Sequence, residues 1–190
     1  MFVVMASLSV TPAASTAAQQ SPAPAAVPES GQIRDLRTAA ERGDPRAQYL
    51  LGVRYATGDG VVEDDATAAQ WIRKAADQGL ADAQFNLGLM YADGNGVPQD
   101  SATAVSWLRK AAEQGDARAE SNLGLMYANG TGVAADPLEA YNWLSIVSAR
   151  SSAGERQRAE SALQTVAGVL TPAQVAEAQH RAQLWLQQHK

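Results

Sequence analysis

The segment Ala83-Gln84-Phe85-Asn86-Leu87-Gly88-Leu89-Met90-Tyr91-Ala92-Asp93-Gly94-Asn95-Gly96-Val97-Pro98-Gln99-Asp100 decides how this chain folds. Moved by 36 residues it meets itself again on both sides, and the windows 44–79, 80–115 and 116–151 align without a gap. They share Leu51/Leu87/Leu123, Gly52/Gly88/Gly124, Tyr55/Tyr91/Tyr127, the paired glycines Gly58-x-Gly60 and their equivalents, Asp64/Asp100/Asp136 and Trp71/Trp107/Trp143. A half copy, 32–43, precedes them. A period in the range of 20 to 50 residues is the signature of a solenoid, in which each unit completes its core against its neighbours.

Each copy reads as two helices. In the first copy, Asp44 precedes Pro45 as an N-cap before a proline at the first helical position. Ala47, Leu51 and Tyr55 then recur at i, i+4 and i+8, one helical stripe. Gly52 in mid-helix costs about 1 kcal/mol relative to alanine, so its return in every copy implies a partner helix too close for a Cβ. The second helix follows the Asp64 cap with Ala68, Trp71, Ile72, Ala75 and Ala76 on its buried stripe. Gly43, Gly79 and Gly115 read as left-handed helix ends, and the paired glycines as tight turns between helices. In the third copy Asp136-Pro137-Leu138-Glu139 predicts a capping box with Glu139 reaching back. Arg73-Lys74 gives way there to Ser145-Ile146 and the closing glycine to Ser151, so the array is ending. Residues 152–190 then read as a two-helix cap, opened by Ser152-x-x-Glu155 (helix 153–168, with Ala159, Leu163 and Val166 inward) and by Thr171-Pro172-x-Gln174 (a helix to His189 with Val175, Ala178, Ala182 and Trp185).

Composition agrees. Of 190 residues 46% are hydrophobic, but 39 are alanine and only 6% are aromatic. Alanine is the best helix former, and β-branched and aromatic strand builders are scarce. The absence of cysteine excludes a disulfide scaffold, a thiolate zinc site and a cysteine nucleophile. A net charge of −5 argues against a nucleic-acid partner. The acidity sits in residues 33–150, while 151–190 carry one excess positive charge.

The run 83–91, the turn 94–100 and Trp107-Leu108-Arg109-Lys110-Ala111-Ala112-Glu113-Gln114-Gly115 closely resemble the Sel1-like repeat, a family within the tetratricopeptide-type solenoids. The resemblance covers about 36–150. It implies an all-α, right-handed α/α superhelix of helix pairs with a C-terminal helical cap, whose first helices line a concave surface. It also implies a non-enzymatic adaptor or scaffold for a protein or peptide partner, with many members exported from bacteria.

The first thirty residues are a different material. Phe2 to Val10 is a short apolar run, far below the roughly 20 residues that span a bilayer. Small residues and a Pro/Ala/Ser stretch follow. This resembles a secretory signal peptide over 1–18 and a linker over 19–31, without the usual basic start. It predicts a periplasmic or secreted chain with no membrane span after cleavage; a cytoplasmic protein with an Ala/Pro leader is the alternative.

No motif here points to catalysis. The glycine pairs follow helices and lack a lysine, unlike a phosphate loop. Counting twelve places from Asp93, the calcium-loop glutamate position holds Ala104. His180 and His189 stand nine residues apart, do not share a metal-binding helix face, and read as solvated surface side chains. Neither a cofactor nor a metal is implied. Some cysteine-rich relatives in the resembling family bind penicillin-like compounds or are credited with β-lactamase activity; a β-lactam-binding or hydrolysing enzyme is thus the remote alternative, against which this chain has no cysteine and no S-x-x-K nucleophile.

The candidate binding surface is the stripe of the first helices opposite Leu51 and Tyr55 and their equivalents. It comprises Arg46/Asp82/Arg118, Tyr49/Phe85/Ser121, Leu50/Asn86/Asn122 and Val53/Leu89/Leu125. Asn86 and Asn122 match in position the asparagine with which tetratricopeptide domains hold a peptide backbone or carboxylate; an amide donates and accepts at once. The same asparagines also fit a purely structural role between neighbouring helices. Arg46 and Arg118 are suited to a carboxylate. The candidate partner-binding residues are therefore Arg46, Tyr49, Asp82, Phe85, Asn86, Leu89, Arg118, Asn122 and Leu125. A periplasmic regulator restraining a membrane sensor, and a spacer in an envelope complex, are further roles open to such a module.

Overall fold

The computed structural model describes residues 30–189 apart from the side chain of Glu155; the expected leader 1–18 and nearly all of the linker lie outside the described residues. Nine α-helices and no strand are present among them: α1 (Gly31–Glu41), α2 (Pro45–Thr57), α3 (Asp65–Asp77), α4 (Ala81–Asp93), α5 (Ser101–Glu113), α6 (Ala117–Asn129), α7 (Pro137–Arg150), α8 (Ala153–Ala167) and α9 (Pro172–Gln188). The pairs α2–α3, α4–α5 and α6–α7 are the three copies, each packed on the next, and α1 is the second helix of the half copy.

Local chemistry sets the helix boundaries. The Asp44 carboxylate accepts from Ala47 N at 2.8 Å, and Asp64, Asp100, Asp116 and Asp136 cap their helices in the same way. Thr67 and Thr103 add hydroxyl donors to Asp64 and Asp100, whose carboxyls sit below the ordinary aspartate value for that reason. Copy two departs at this position, where Leu80 stands at the N-cap of α4 and makes no side-chain cap bond. Gly43, Gly79 and Gly115 stand with positive φ one residue past the caps Arg42, Gln78 and Gln114.

The mid-helix glycines are explained by packing. A Cβ on Gly52 would lie 2.6 Å from Ile72 Cγ1 and 3.0 Å from the Ala68 carbonyl; one on Gly88 would lie 2.8 Å from Leu108 Cγ. The first and second helices of a copy touch backbone to side chain at these points, with Leu51, Leu87 and Leu123 fully buried beside them.

Three side-chain relays repeat with the period. Gln48 donates to Ala40 O and Gln84 to Ala76 O, while Gln78 and Gln114 donate to the Gln48 and Gln84 amide oxygens, each at 2.7 Å. The third copy replaces both members, and Arg150 donates to Glu120. Between copies, Arg37, Arg73 and Arg109 lie over the rings of Tyr55, Tyr91 and Tyr127, and the latter two arginines donate to the phenol oxygens. On the second helices, Lys74 Nζ lies 3.8 Å over Trp71, and Lys110 Nζ 3.9 Å over Trp107. Such cation–π contacts cover an aromatic face without removing the charge from water.

The end of the array breaks the pattern. Ile146 stands where Lys74 and Lys110 stood and is fully buried. Trp143 meets Trp185 of α9 edge to face at 6.3 Å instead of a lysine. Both α8 and α9 pack on α7 but scarcely touch each other. α8 keeps the 36-residue step, with Ala159 at the Leu51/Leu87/Leu123 position and buried; α9 opens with the expected Thr171–Gln174 capping box.

Two expectations are corrected. Glu139 does not reach back to its cap; its carboxylate accepts from Arg181 of α9 at 3.2 Å, because that cation lies across the helix pair. His189 is not a solvated side chain. Its ring stacks on Trp185 at 3.9 Å with 8° between planes, and its two ring nitrogens face Trp185 O and Glu113 O. His180 is exposed as expected.

Candidate functional site

The expected stripe divides into residues that hold the array together and residues that remain open. Phe85 is 8% exposed and belongs to the core rather than to an open groove, because the neighbouring copy closes over it. Arg118 covers the outer face of that ring, its guanidinium carbon 4.4 Å from the centroid. The same guanidinium binds Asp82 at 2.6 Å and Asp116 at 2.5 Å, and this pairing holds it still more firmly protonated than an ordinary arginine. Asp82 and Arg118 thus link copies two and three.

Asn86 Nδ2 donates to the Tyr49 hydroxyl at 3.1 Å, a bond between copies one and two. Burial pushes the Tyr49 phenol above its ordinary value; Asp82 adds to this, while Arg118 and the Asn86 bond oppose it. Asn122 Nδ2 donates to Arg118 O within its own helix at 2.8 Å. Each amide nitrogen spends one of its two N–H groups in this way, and both Oδ1 atoms remain as acceptors. Leu50 interrupts the asparagine series in copy one and is exposed, as are Arg46 and Leu125, the last at 48%.

Two grooves flank this stripe. One, about 340 Å³, lies over α2, α3 and α4, floored by Val53, Ile72, Leu89 and Met90 and edged by Asn86. The other, about 250 Å³, lies over α6, α7 and α8, floored by Leu125, Leu144, Val147 and Ala159 and edged by Ser121 and Asn122. The second groove includes Arg158, which sequence reasoning passed over. Its signal was present: Arg158 stands 36 residues after Asn122, in the place the asparagines hold in copies two and three. Among the described residues no three His, Cys, Asp or Glu side chains gather to hold a metal ion, and no helix is long and apolar enough to cross a membrane.

Stacked helix pairs with a repeating seam and an open face on their first helices define an α/α solenoid repeat protein. The Sel1 repeat model matches residues 45–80, 81–116 and 117–146, more than half of the chain. This chain belongs to the Sel1 repeat family, whose repeats are protein-interaction modules. Among solved structures it is similar to a Sel1 repeat protein from Oxalobacter formigenes, with 38% identity and a TM-score of 0.63 over 68% of this chain and 98% of that one. It is also similar to c5321, a protective antigen present in uropathogenic Escherichia coli strains displaying an SLR fold. There the identity is 32% and the TM-score 0.71 over 83% of this chain, which spans only 33% of the antigen. No curated protein matches the chain.

Proposed function

We propose that this chain is a non-enzymatic interaction module that seats an extended peptide segment of a partner protein across α2, α4, α6 and α8. The observation that carries the reading is the pairing of two apolar-floored grooves with amide acceptors at their edges. An extended peptide brings unpaired backbone N–H groups, which the Asn86 and Asn122 Oδ1 atoms accept, whereas a helical ligand has already satisfied most of its own. Export of the chain rests on the sequence of residues 1–18 and is tested by fractionating cells that express the full chain.

The binding test is a selection of random displayed peptides on the full chain, followed by affinity measurement of the enriched ones. Val53→Asp and Leu125→Asp place a charge in one groove each. Each is expected to weaken binding at least tenfold while leaving the helical circular dichroism intact. Failure to enrich any peptide, or binders indifferent to both substitutions, overturns the reading.

A further inference from the structure

The two grooves share one architecture and differ in sign. The charged side chains lining the α2–α4 groove are Asp65 and Asp93, with no cation. Those lining the α6–α8 groove are Arg118 and Arg158, with no carboxylate. Arg118 is already neutralised by Asp82 and Asp116. Arg158 is exposed and, among the described residues, has neither a hydrogen bond nor an ion pair, so within this groove it is the cation left to a ligand. Asp65 and Asp93 are exposed in the same way at the other end.

From this we infer that the two grooves, Arg46 on the stripe outside them apart, are of opposite charge and take a peptide with a basic side chain over α2–α4 and an acidic side chain over α6–α8. The inference rests on the groove reading above. Spacing follows from geometry. The grooves lie two steps apart along the row of first helices, and packed helices are separated by about 10 Å, which puts the two poles about 20 Å apart. An extended chain advances about 3.3 Å per residue, so the basic and acidic side chains stand about six positions apart. Apolar side chains beside each charge fill the two floors. Opposite poles also fix direction: a peptide laid in reverse brings its acid against Asp65 and Asp93 and its base against Arg158, and like charges across an interface suppress the wrong arrangement.

The peptide selection on the full chain tests this through the composition of what is enriched. The expected outcome is a basic and an acidic residue five to seven positions apart, in one order along all binders. Synthetic binders with the two charges exchanged are expected to bind at least fivefold more weakly. Selection on Asp65→Asn/Asp93→Asn should lose the basic preference and keep the acidic one; selection on Arg158→Gln should do the opposite. Binders with no charge order, or with an order that neither variant alters, overturn the polarity while the groove reading stands. No enrichment at all overturns both.

Discussion

Arg150 Nη1 meets Oε1 of Glu120 at 2.7 Å, and the Glu120 side chain is wholly buried. The pair occupies the position at which the two preceding copies place Gln78 on Gln48 and Gln114 on Gln84. Removing the cation alone strands a buried carboxylate, so Arg150→Ala should cost about 3–5 kcal/mol in urea unfolding. Glu120→Gln/Arg150→Gln rebuilds the amide pair of the other copies and should recover most of that loss. A double variant as unstable as Arg150→Ala would show that the pair is not equivalent to the amides.

The same carboxyl makes stability depend on pH. In copies one and two the amide nitrogen also donates to the carbonyl eight residues upstream; Glu120 has no such nitrogen, and its Oε2 is a buried acceptor with no partner. A proton on Oε2 supplies the missing donor. Burial raises the Glu120 carboxyl above its ordinary 4.5, with Arg150 and His189 opposing and Asp116 assisting. The folded state therefore holds this proton to higher pH than the unfolded chain does. Its contribution is complete below about pH 4.5 and is lost as pH rises through the raised value. Glu120→Gln should flatten this fall, measured as unfolding free energy from pH 4 to pH 8, and stabilise the chain at pH 7 by about 1–2 kcal/mol.

Glycine-to-alanine substitutions should rank by what the new Cβ meets. At Gly96 a Cβ runs into the Asp65 carbonyl on a backbone with φ of 68°, and Gly96→Ala should cost about 3 kcal/mol or more. Gly52→Ala meets backbone as well as Ile72, and its overpacking cost of about 1–3 kcal/mol should outweigh a helix-propensity gain of about 1 kcal/mol. Gly79→Ala has open space and only its φ of 89° to contend with, so it should be the mildest. Thermal midpoints in any other order would refute this ranking.

Ile146→Lys should change sign with context. In the full chain it buries an ammonium under α9, with a loss of several kcal/mol. In a chain ending at residue 171, Trp143 and Ile146 lose their cover and the protein should associate, seen as a concentration-dependent mass in light scattering. There Ile146→Lys restores the lysine-over-tryptophan arrangement of Trp71 and Trp107 and should return the shortened chain to a monomer.

The repeat made the architecture legible because its signals are local: an aspartate cap, a glycine at each turn and a stripe at i, i+4, i+8 lie within one helix pair. The groove was legible as a stripe, but not which of its residues were already engaged. Phe85 and Arg118 occupy one face in the sequence, yet the ring is closed over by the next copy and the guanidinium is drawn to two aspartates, one of them 36 residues away. The joint change from Gln84/Gln114 to Glu120/Arg150 was visible in the alignment, but its meaning depends on a contact across 30 residues. His189 and Glu139 found partners on other helices that no local pattern announces.

From the half copy through copy two, each unit carries the arginine that holds the next unit's tyrosine: Arg37 on Tyr55, Arg73 on Tyr91 and Arg109 on Tyr127. Copy three has Ser145 in that place, and α8 has Leu163 where the next tyrosine would stand. Donor and acceptor disappear together. Duplication of whole units can therefore lengthen the protein behind copy one or copy two, where each new tyrosine finds its arginine. A unit inserted behind copy three would begin with an unheld ring. The array has a growing interior and a fixed terminus, and the terminus is written in copy three itself.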